Sequence, residues 1–301
     1  MMTHYEYSLK PLMISEVAAA AFMSGSMGPT AIEKESTAPT GNAKPYGIIT
    51  IRGGLYPSTY NRIASMLDIL SQECQGAILD IDSNGGAAAG VFDLSDKIFK
   101  MRQSFPTYAI VPESCYSAAY AIASACNKIF ITRDAGVGSI GVVCYHIDQS
   151  GFDNKMGLKY TPIFSGSKKV DFSSHAPLSD RATKDLQDTI DGIYQTFCET
   201  VGRNRSLAAD FIKKTEAGIF SGQKAIDAGL VDKIMSRADA LSLISKGGQS
   251  IMSSTPPKVA TKPNASNLLA EDAKKRAAAV AANTPAATKP ETIGFRPSYL
   301  H

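Results

Sequence analysis

The stretch Ala77-Ile78-Leu79-Asp80-Ile81-Asp82-Ser83-Asn84-Gly85-Gly86 decides the fold. Its first five residues are an apolar run of strand length, and its closing glycines end that run in a turn. Directly beyond it, Val91, Leu94, Ile98 and Met101 recur at helical spacing, which predicts a helix from about Ala89 to Gln103. Strand, glycine turn and helix in that order form one unit of an α/β domain.

The pattern continues on both sides. Upstream, Tyr46 to Ile51 reads as a strand, and Tyr60 to Cys74 places Ile63, Met66, Leu67 and Leu70 on one helical face. Downstream, Thr107 to Val111 is a strand and Ser117 to Cys126 a helix of small residues. Further strands are predicted at Lys128 to Thr132 and at Gly141 to Tyr145. A long amphipathic helix follows from Leu178 to Val201, with Leu186, Ile190, Ile193, Tyr194 and Phe197 on one side. Shorter helices are expected at Ala208 to Lys214 and Gln223 to Gly229. Such alternation predicts a sheet with helices packed around it.

Three regions emerge. Residues 1–44 lack periodicity and read as a flexible N-terminal arm or pro-segment with one short helix at 14–23. Residues 45–247 hold the ordered domain. Residues 248–301 are rich in Ala, Pro, Ser, Thr, Lys and Asn, and bury too little apolar surface to offset the entropy of ordering. They read as a flexible tail with a helix at 266–282 and an aromatic terminus, Phe295 to Leu300.

Composition narrows the function. With 301 residues, 44% hydrophobic and 20% charged, the chain reads as an ordinary globular protein, and a net charge of +3 without a basic cluster argues against nucleic-acid binding. Cysteines 74, 115, 126, 144 and 198 form no CxxC pair, which suits reduced thiols in a cytoplasmic setting. The apolar stretch Val17 to Met23 is too short for a spanning helix and lacks the flanks of a signal peptide, so no membrane anchor is expected. Four scattered histidines without HExxH give no metal site, and no cofactor is expected.

The chemistry centres on Ser117, which follows a strand and opens a helix. There the Ala118 N–H and the helix dipole favour negative charge; an N-cap serine is the plainer role for such a residue. Gly85-Gly86 suits an oxyanion hole, or simply a tight turn. A serine nucleophile needs a base, and lysine serves once its pKa falls. Adjacent Lys168 and Lys169 point in different directions, so one at most enters a site. Ser139, within Gly138-Ser139-Ile140-Gly141, is placed to orient a base or to form a turn. His146 with Asp148 keeps a Ser-His-Asp site open, and His175 is a further candidate. Cys115, two residues before Ser117, reads as a buried structural thiol.

Taken together, Asp82 to Gly86, Ser117 to Ala123, Val137 to Val142, Ser165 to Asp171 and Phe220 to Asp232 resemble the S49 serine peptidases, the signal peptide peptidase A family, and especially its bacteriophage branch. The resemblance spans about residues 45–236. It implies a Clp protease/crotonase-like spiral of ββα units, with Ser117 as nucleophile and Lys169, not Lys168, as general base. It also implies oxyanion donation from Gly86 and Ala118. Two departures stand out: Ala118-Ala119 where many members carry two glycines, and Asn84 where proline usually precedes the double glycine. By the same resemblance the task is cleavage of scaffold, capsid or portal precursors by a homo-oligomer, in the host cytoplasm or within the prohead. Two alternatives stay open. One is signal-peptide-peptidase-like turnover of membrane or signal peptides, and the other is a catalytically inactive assembly scaffold.

Overall fold

The computed structural model describes residues 12–14, 31–37 and 44–252. The helices expected at 14–23 and 266–282 and the aromatic terminus lie outside the described residues. Leu12–Ile14 (β1) and Ala31–Ser36 (β2) are strands, so part of the expected arm joins the domain's sheets.

A six-stranded sheet forms the frame, in the order β11-β8-β6-β4-β3-β2. Here β3 is Tyr46–Arg52, β4 is Gly76–Asp82, β6 is Thr107–Val111, β8 is Lys128–Ile131 and β11 is Lys233–Ile234. Every pairing is parallel except β2 with β3. Parallel strands need crossovers, and helices supply them. They are α1 (Pro57–Glu73) after β3, α2 (Val91–Met101) after β4 and α3 (Ala118–Ser124) after β6.

The central strands are apolar on both faces because both are covered. Ile49, Ile51, Leu79 and Ile81 pack with Ile63, Leu67, Val91, Leu94 and Ile98 of the crossover helices. Their neighbours Ile48 and Ile78 turn to the other face, packing with Tyr108, Phe130 and with Ala240 and Ile244 of α8 (Arg237–Met252).

After three of the main strands a three-residue strand is inserted before the next helix. Gly85–Ala87 (β5) follows β4, Ser114–Tyr116 (β7) follows β6, and Gly136–Gly138 (β9) follows β8. The ββα repeat expected from the resemblance is therefore present, and the domain is α/β. The second strands leave the main sheet: β7 and β9 pair in parallel, and Ile219–Ser221 (β10) adds an antiparallel edge to β9.

One expected strand moves. Gly141 to Tyr145 forms no strand, and β9 lies one turn earlier. Gly138 and Ser139 both take positive φ, 106° and 52°, and the Gly141 N–H closes on the Ser139 carbonyl at 3.0 Å. The β-branched pair Val142-Val143 favours a strand locally, but the neighbouring strands are already satisfied by residues 136–138.

The remaining helices are α4 (Ser150–Lys155), α5 (Asp180–Arg205), α6 (Ala209–Lys213) and α7 (Gly222–Asp227). Helix α5 opens on Ser179, whose Oγ accepts the Ala182 N–H at 3.2 Å. Phe197, Cys198 and Val201 near its C-terminal end are buried, while Leu186, Ile190, Ile193 and Tyr194 are only partly covered.

Candidate active site

Ser117 stands where β7 meets α3, at φ 54° and ψ −118°. An L-residue rarely adopts that conformation, and holding it costs about 1–3 kcal/mol. The surroundings impose it. The Ser117 N–H donates to the Gly138 carbonyl at 2.8 Å, which ends the β7–β9 pairing. Four residues on, the Ala121 N–H donates to the Ser117 carbonyl at 3.0 Å and starts the helix. A serine on a sharp strand-to-helix turn presents its hydroxyl away from both elements. No N-cap hydrogen bond is made by its side chain, so the plainer capping role is not the one it fills. Its Oγ instead approaches the Gly141 carbonyl at 3.4 Å.

The helix behind it is pinned from below. Every residue of α3 is buried, and small side chains allow a helix to sit that deep. Asn204, buried near the end of α5, donates through Nδ2 to Ser95 Oγ at 3.0 Å and Ser124 Oγ at 2.9 Å. Both hydroxyls in turn donate to the Ala121 carbonyl. From the other side the Tyr120 hydroxyl donates to the Leu230 carbonyl at 2.8 Å. Asn204→Leu is expected to lower the unfolding free energy by about 1–3 kcal/mol, because it removes the donor while leaving a buried serine pair. Urea unfolding reads this directly, and an unchanged midpoint would take the pin out of the account.

Gly85-Gly86 lies beside Ser117 through a short chain of bonds. The Ser83 N–H donates to the Ser114 carbonyl at 2.8 Å, and the Tyr116 N–H to the Ser83 carbonyl at 3.0 Å, so the β4–β5 turn bridges directly to β7. Asp82 secures the same junction, accepting the Ser114 N–H at 3.1 Å and the Ser114 hydroxyl. Ser83 locks the turn itself: its Oγ donates to the Gly53 carbonyl at 2.7 Å and accepts the Gly85 N–H at 3.1 Å. At Gly86 a side chain is excluded, since a Cβ would sit 1.8 Å from the Leu55 carbonyl oxygen. Ala118 is the first residue of α3, where the helix cannot satisfy its N–H.

Ser139 is buried beside Ser117 through the Gly138 linkage, and its N–H donates to the Gly218 carbonyl at 2.8 Å. The turn 138–141 thus meets the serine at both ends, through the Gly138 carbonyl on the Ser117 N–H and the Gly141 carbonyl 3.4 Å from Ser117 Oγ. Gly218 and β10 hold that turn; Phe220 and Ser221 of β10 belong to the stretch that carries the family resemblance, but no strand was expected there.

The lysines are different. Lys168 forms an exposed ion pair with Asp185 of α5, which lowers the Asp185 carboxyl. Lys169 sits on an exposed turn whose N–H donates to the Gly166 carbonyl at 3.0 Å. Its side chain makes no hydrogen bond or ion pair among the described residues, and the Ser117 hydroxyl is directed to the Gly141 carbonyl instead. The serine and the lysine are thus not joined within this chain.

The histidines are engaged elsewhere. His146 is half-buried, with Nε2 3.2 Å from the Ala176 carbonyl. Asp148 is held by Ser150, whose hydroxyl first and then whose N–H, at 2.9 Å, lower its carboxyl. His175 Nδ1 lies 2.8 Å from Asp153 and its ring stacks on Tyr160. Cys115 is fully buried, and burial pushes its thiol well above the usual range, as befits an inert structural cysteine. Among the described residues no group of His, Cys, Asp and Glu is arranged to hold a metal ion. No helix there is long and apolar enough to cross a membrane.

An α/β domain of ββα units, with a serine held in a strained turn between strand and helix, is the class that fold and site define. The chain belongs to peptidase family S49, whose sequence profile matches residues 100–250. It is 36% identical over 198 residues to the head-tail preconnector protein GP5 of Enterobacteria phage P21, covering 64% of this chain and 40% of that protein. It is 35% identical over 187 residues to the capsid assembly protease C of Escherichia phage lambda, covering 62% and 43% respectively. The chain thus spans about two fifths of the length of these curated relatives. Among solved structures, a point-mutant form of ClpP1 from Listeria monocytogenes matches at a TM-score of 0.44 and 15% identity, over 64% of this chain and 94% of that one. That likeness is too distant to add to the fold described above.

Proposed function

We propose that this chain is a serine endopeptidase in which Ser117 is the nucleophile and Lys169 the general base. The observation that carries the reading is the Ser117 backbone, strained at φ 54° on the turn between β7 and α3. Neutral Lys169 Nζ takes the Ser117 proton as Oγ bonds to the peptide carbonyl carbon. Gly86 and Ala118 N–H groups stabilise the oxyanion. The departing amine takes the proton from lysine, and water then releases the acyl group. Ser139 orients the lysine.

Lys169 must therefore be brought to Ser117. The run preceding it leaves Phe152, Met156, Tyr160, Ile163 and Phe164 exposed, Ile163 at 98%. An apolar run of that kind is covered when copies associate, so a homo-oligomer is part of the proposal. Mixing Ser117→Ala with Lys169→Ala tells a dyad within one chain from one shared between copies, since activity returns only in the second case.

The likeness to a capsid assembly protease supports head maturation as the setting, with scaffold, capsid or portal polypeptides as substrates inside the assembling prohead of the host cytoplasm. Lys169→Ala is expected to abolish cleavage of such a co-expressed polypeptide, and His146→Ala to retain it. The reverse result replaces the lysine by a histidine base. Failure of a fluorophosphonate to label Ser117 would instead favour an inactive scaffold.

A further inference from the structure

The strand β1 pairs antiparallel with β5, with Leu12 opposite Ala87, Met13 opposite Gly86 and Ile14 opposite Gly85. It is the only partner of β5 in its two-stranded sheet among the described residues. Opposed residues in an antiparallel ladder alternate between pairs that exchange two N–H···O=C bonds and pairs that exchange none. The backbone groups around Gly86 settle which pair is which.

Gly85 gives its N–H to Ser83 Oγ at 3.1 Å, and its carbonyl accepts the Leu55 N–H at 2.9 Å. Ala87 donates its N–H to the Leu55 carbonyl at 2.8 Å, and its carbonyl accepts the Tyr60 hydroxyl at 2.6 Å. Both neighbours are thus committed away from β1. Successive residues of a strand direct their backbone groups to opposite sides, so the N–H and C=O of Gly86 face β1. Met13–Gly86 is the pair that bonds.

The Gly86 N–H is the donor assigned above to the developing oxyanion. We infer that residues 12–14 are an internal pseudosubstrate: they occupy the β5 edge as an extended polypeptide substrate would, with the Met13 carbonyl on the Gly86 N–H. The inference rests on the reading of Gly86 as oxyanion donor. Two further observations agree with an occupied site. All of β5 is buried although it lies outside the main sheet, and Ser117 has no exposed surface. The substrate class follows. Strand addition uses main-chain bonds, so the edge takes extended segments of varied sequence, and it takes them only after residues 12–14 leave.

Met13→Pro in the full chain tests this, because proline removes the Met13 N–H and is poorly tolerated inside a paired strand. Amide hydrogen exchange reads occupancy without any activity. The Gly86 amide is expected to be protected in the unaltered chain and to exchange about tenfold faster or more in Met13→Pro. Free exchange in the unaltered chain, or no change in the variant, overturns the proposal. Hydrolysis of fluorescein-labelled casein supplies the second readout. An internal competitor raises KM alone, so Met13→Pro is expected to lower KM about threefold or more with kcat unchanged. An unchanged KM in an active enzyme also overturns the proposal. If exchange responds as expected while neither form hydrolyses casein nor is labelled at Ser117 by a fluorophosphonate, β1 holds the edge but the peptidase reading is what fails.

Discussion

Ser117→Ala is expected to lower peptide hydrolysis by about 10⁴-fold or more while leaving the fold intact, since on the proposed mechanism the atom that bonds to substrate is gone. Little else is lost with it. The hydroxyl caps no helix, and its nearest acceptor, the Gly141 carbonyl, stands at 3.4 Å. The backbone bonds that bend the chain, from Ser117 N–H to Gly138 and from Ala121 N–H to Ser117, survive the change. A companion variant tests the strain itself. In the interior of a helix or strand glycine is less stable than alanine by about 0.5–1 kcal/mol. At φ 54° and ψ −118° the preference should cancel or reverse, because glycine adopts positive φ without a Cβ clash. Ser117→Gly is therefore expected to unfold at the same temperature as Ser117→Ala or higher. A clearly lower value would mean that the turn stores no strain.

The second large effect is expected at Gly86. In Gly86→Ala the new Cβ meets the Leu55 carbonyl oxygen at 1.8 Å and the Leu55 carbonyl carbon at 2.5 Å. These are backbone atoms of a buried residue, so no flexible side chain can yield. The bridge between Leu55 and β5 must open, and the Gly86 N–H moves with it. Loss of one oxyanion donor lowers kcat by about 10²–10³-fold. Forcing atoms into a packed site adds about 1–3 kcal/mol of destabilisation. Steady-state kinetics and thermal unfolding on the same preparation separate the two. A variant that is destabilised but keeps kcat would make Gly86 a packing residue only, and would return the oxyanion role to Ala118 alone.

Much of this architecture is legible in one dimension. Strands β3, β4, β6 and β8 are short apolar runs because both of their faces are covered, and α1 and α2 show helical spacing because only one of theirs is. The inserted strands are not legible. Three residues such as Ser114-Cys115-Tyr116 or Gly136-Val137-Gly138 carry no period, and they are strands only because a neighbour pairs with them. The same cause hid β10 and displaced the strand expected at Gly141 to Tyr145. Asn204 was invisible for a different reason. It is one polar residue near the end of a long helix, and its partners Ser95 and Ser124 lie on two others.

The linear chain carries the type and order of the chemical parts: a serine opening a small-residue helix, a double glycine after an apolar strand, and a lysine pair beyond a Ser-Gly turn. These follow from local composition and spacing, which need no knowledge of neighbours. Tertiary structure alone decided the conformation of Ser117, since its positive φ is imposed by a bond to Gly138 from another strand. It alone showed Lys168 held by Asp185 while Lys169 remains unengaged among the described residues. It also laid residues 12–14 along the glycine edge. The first and last depend on which backbone groups remain unpaired once the sheets have formed, and the ion pair on which distant side chains the fold brings together; both are properties of the assembled fold.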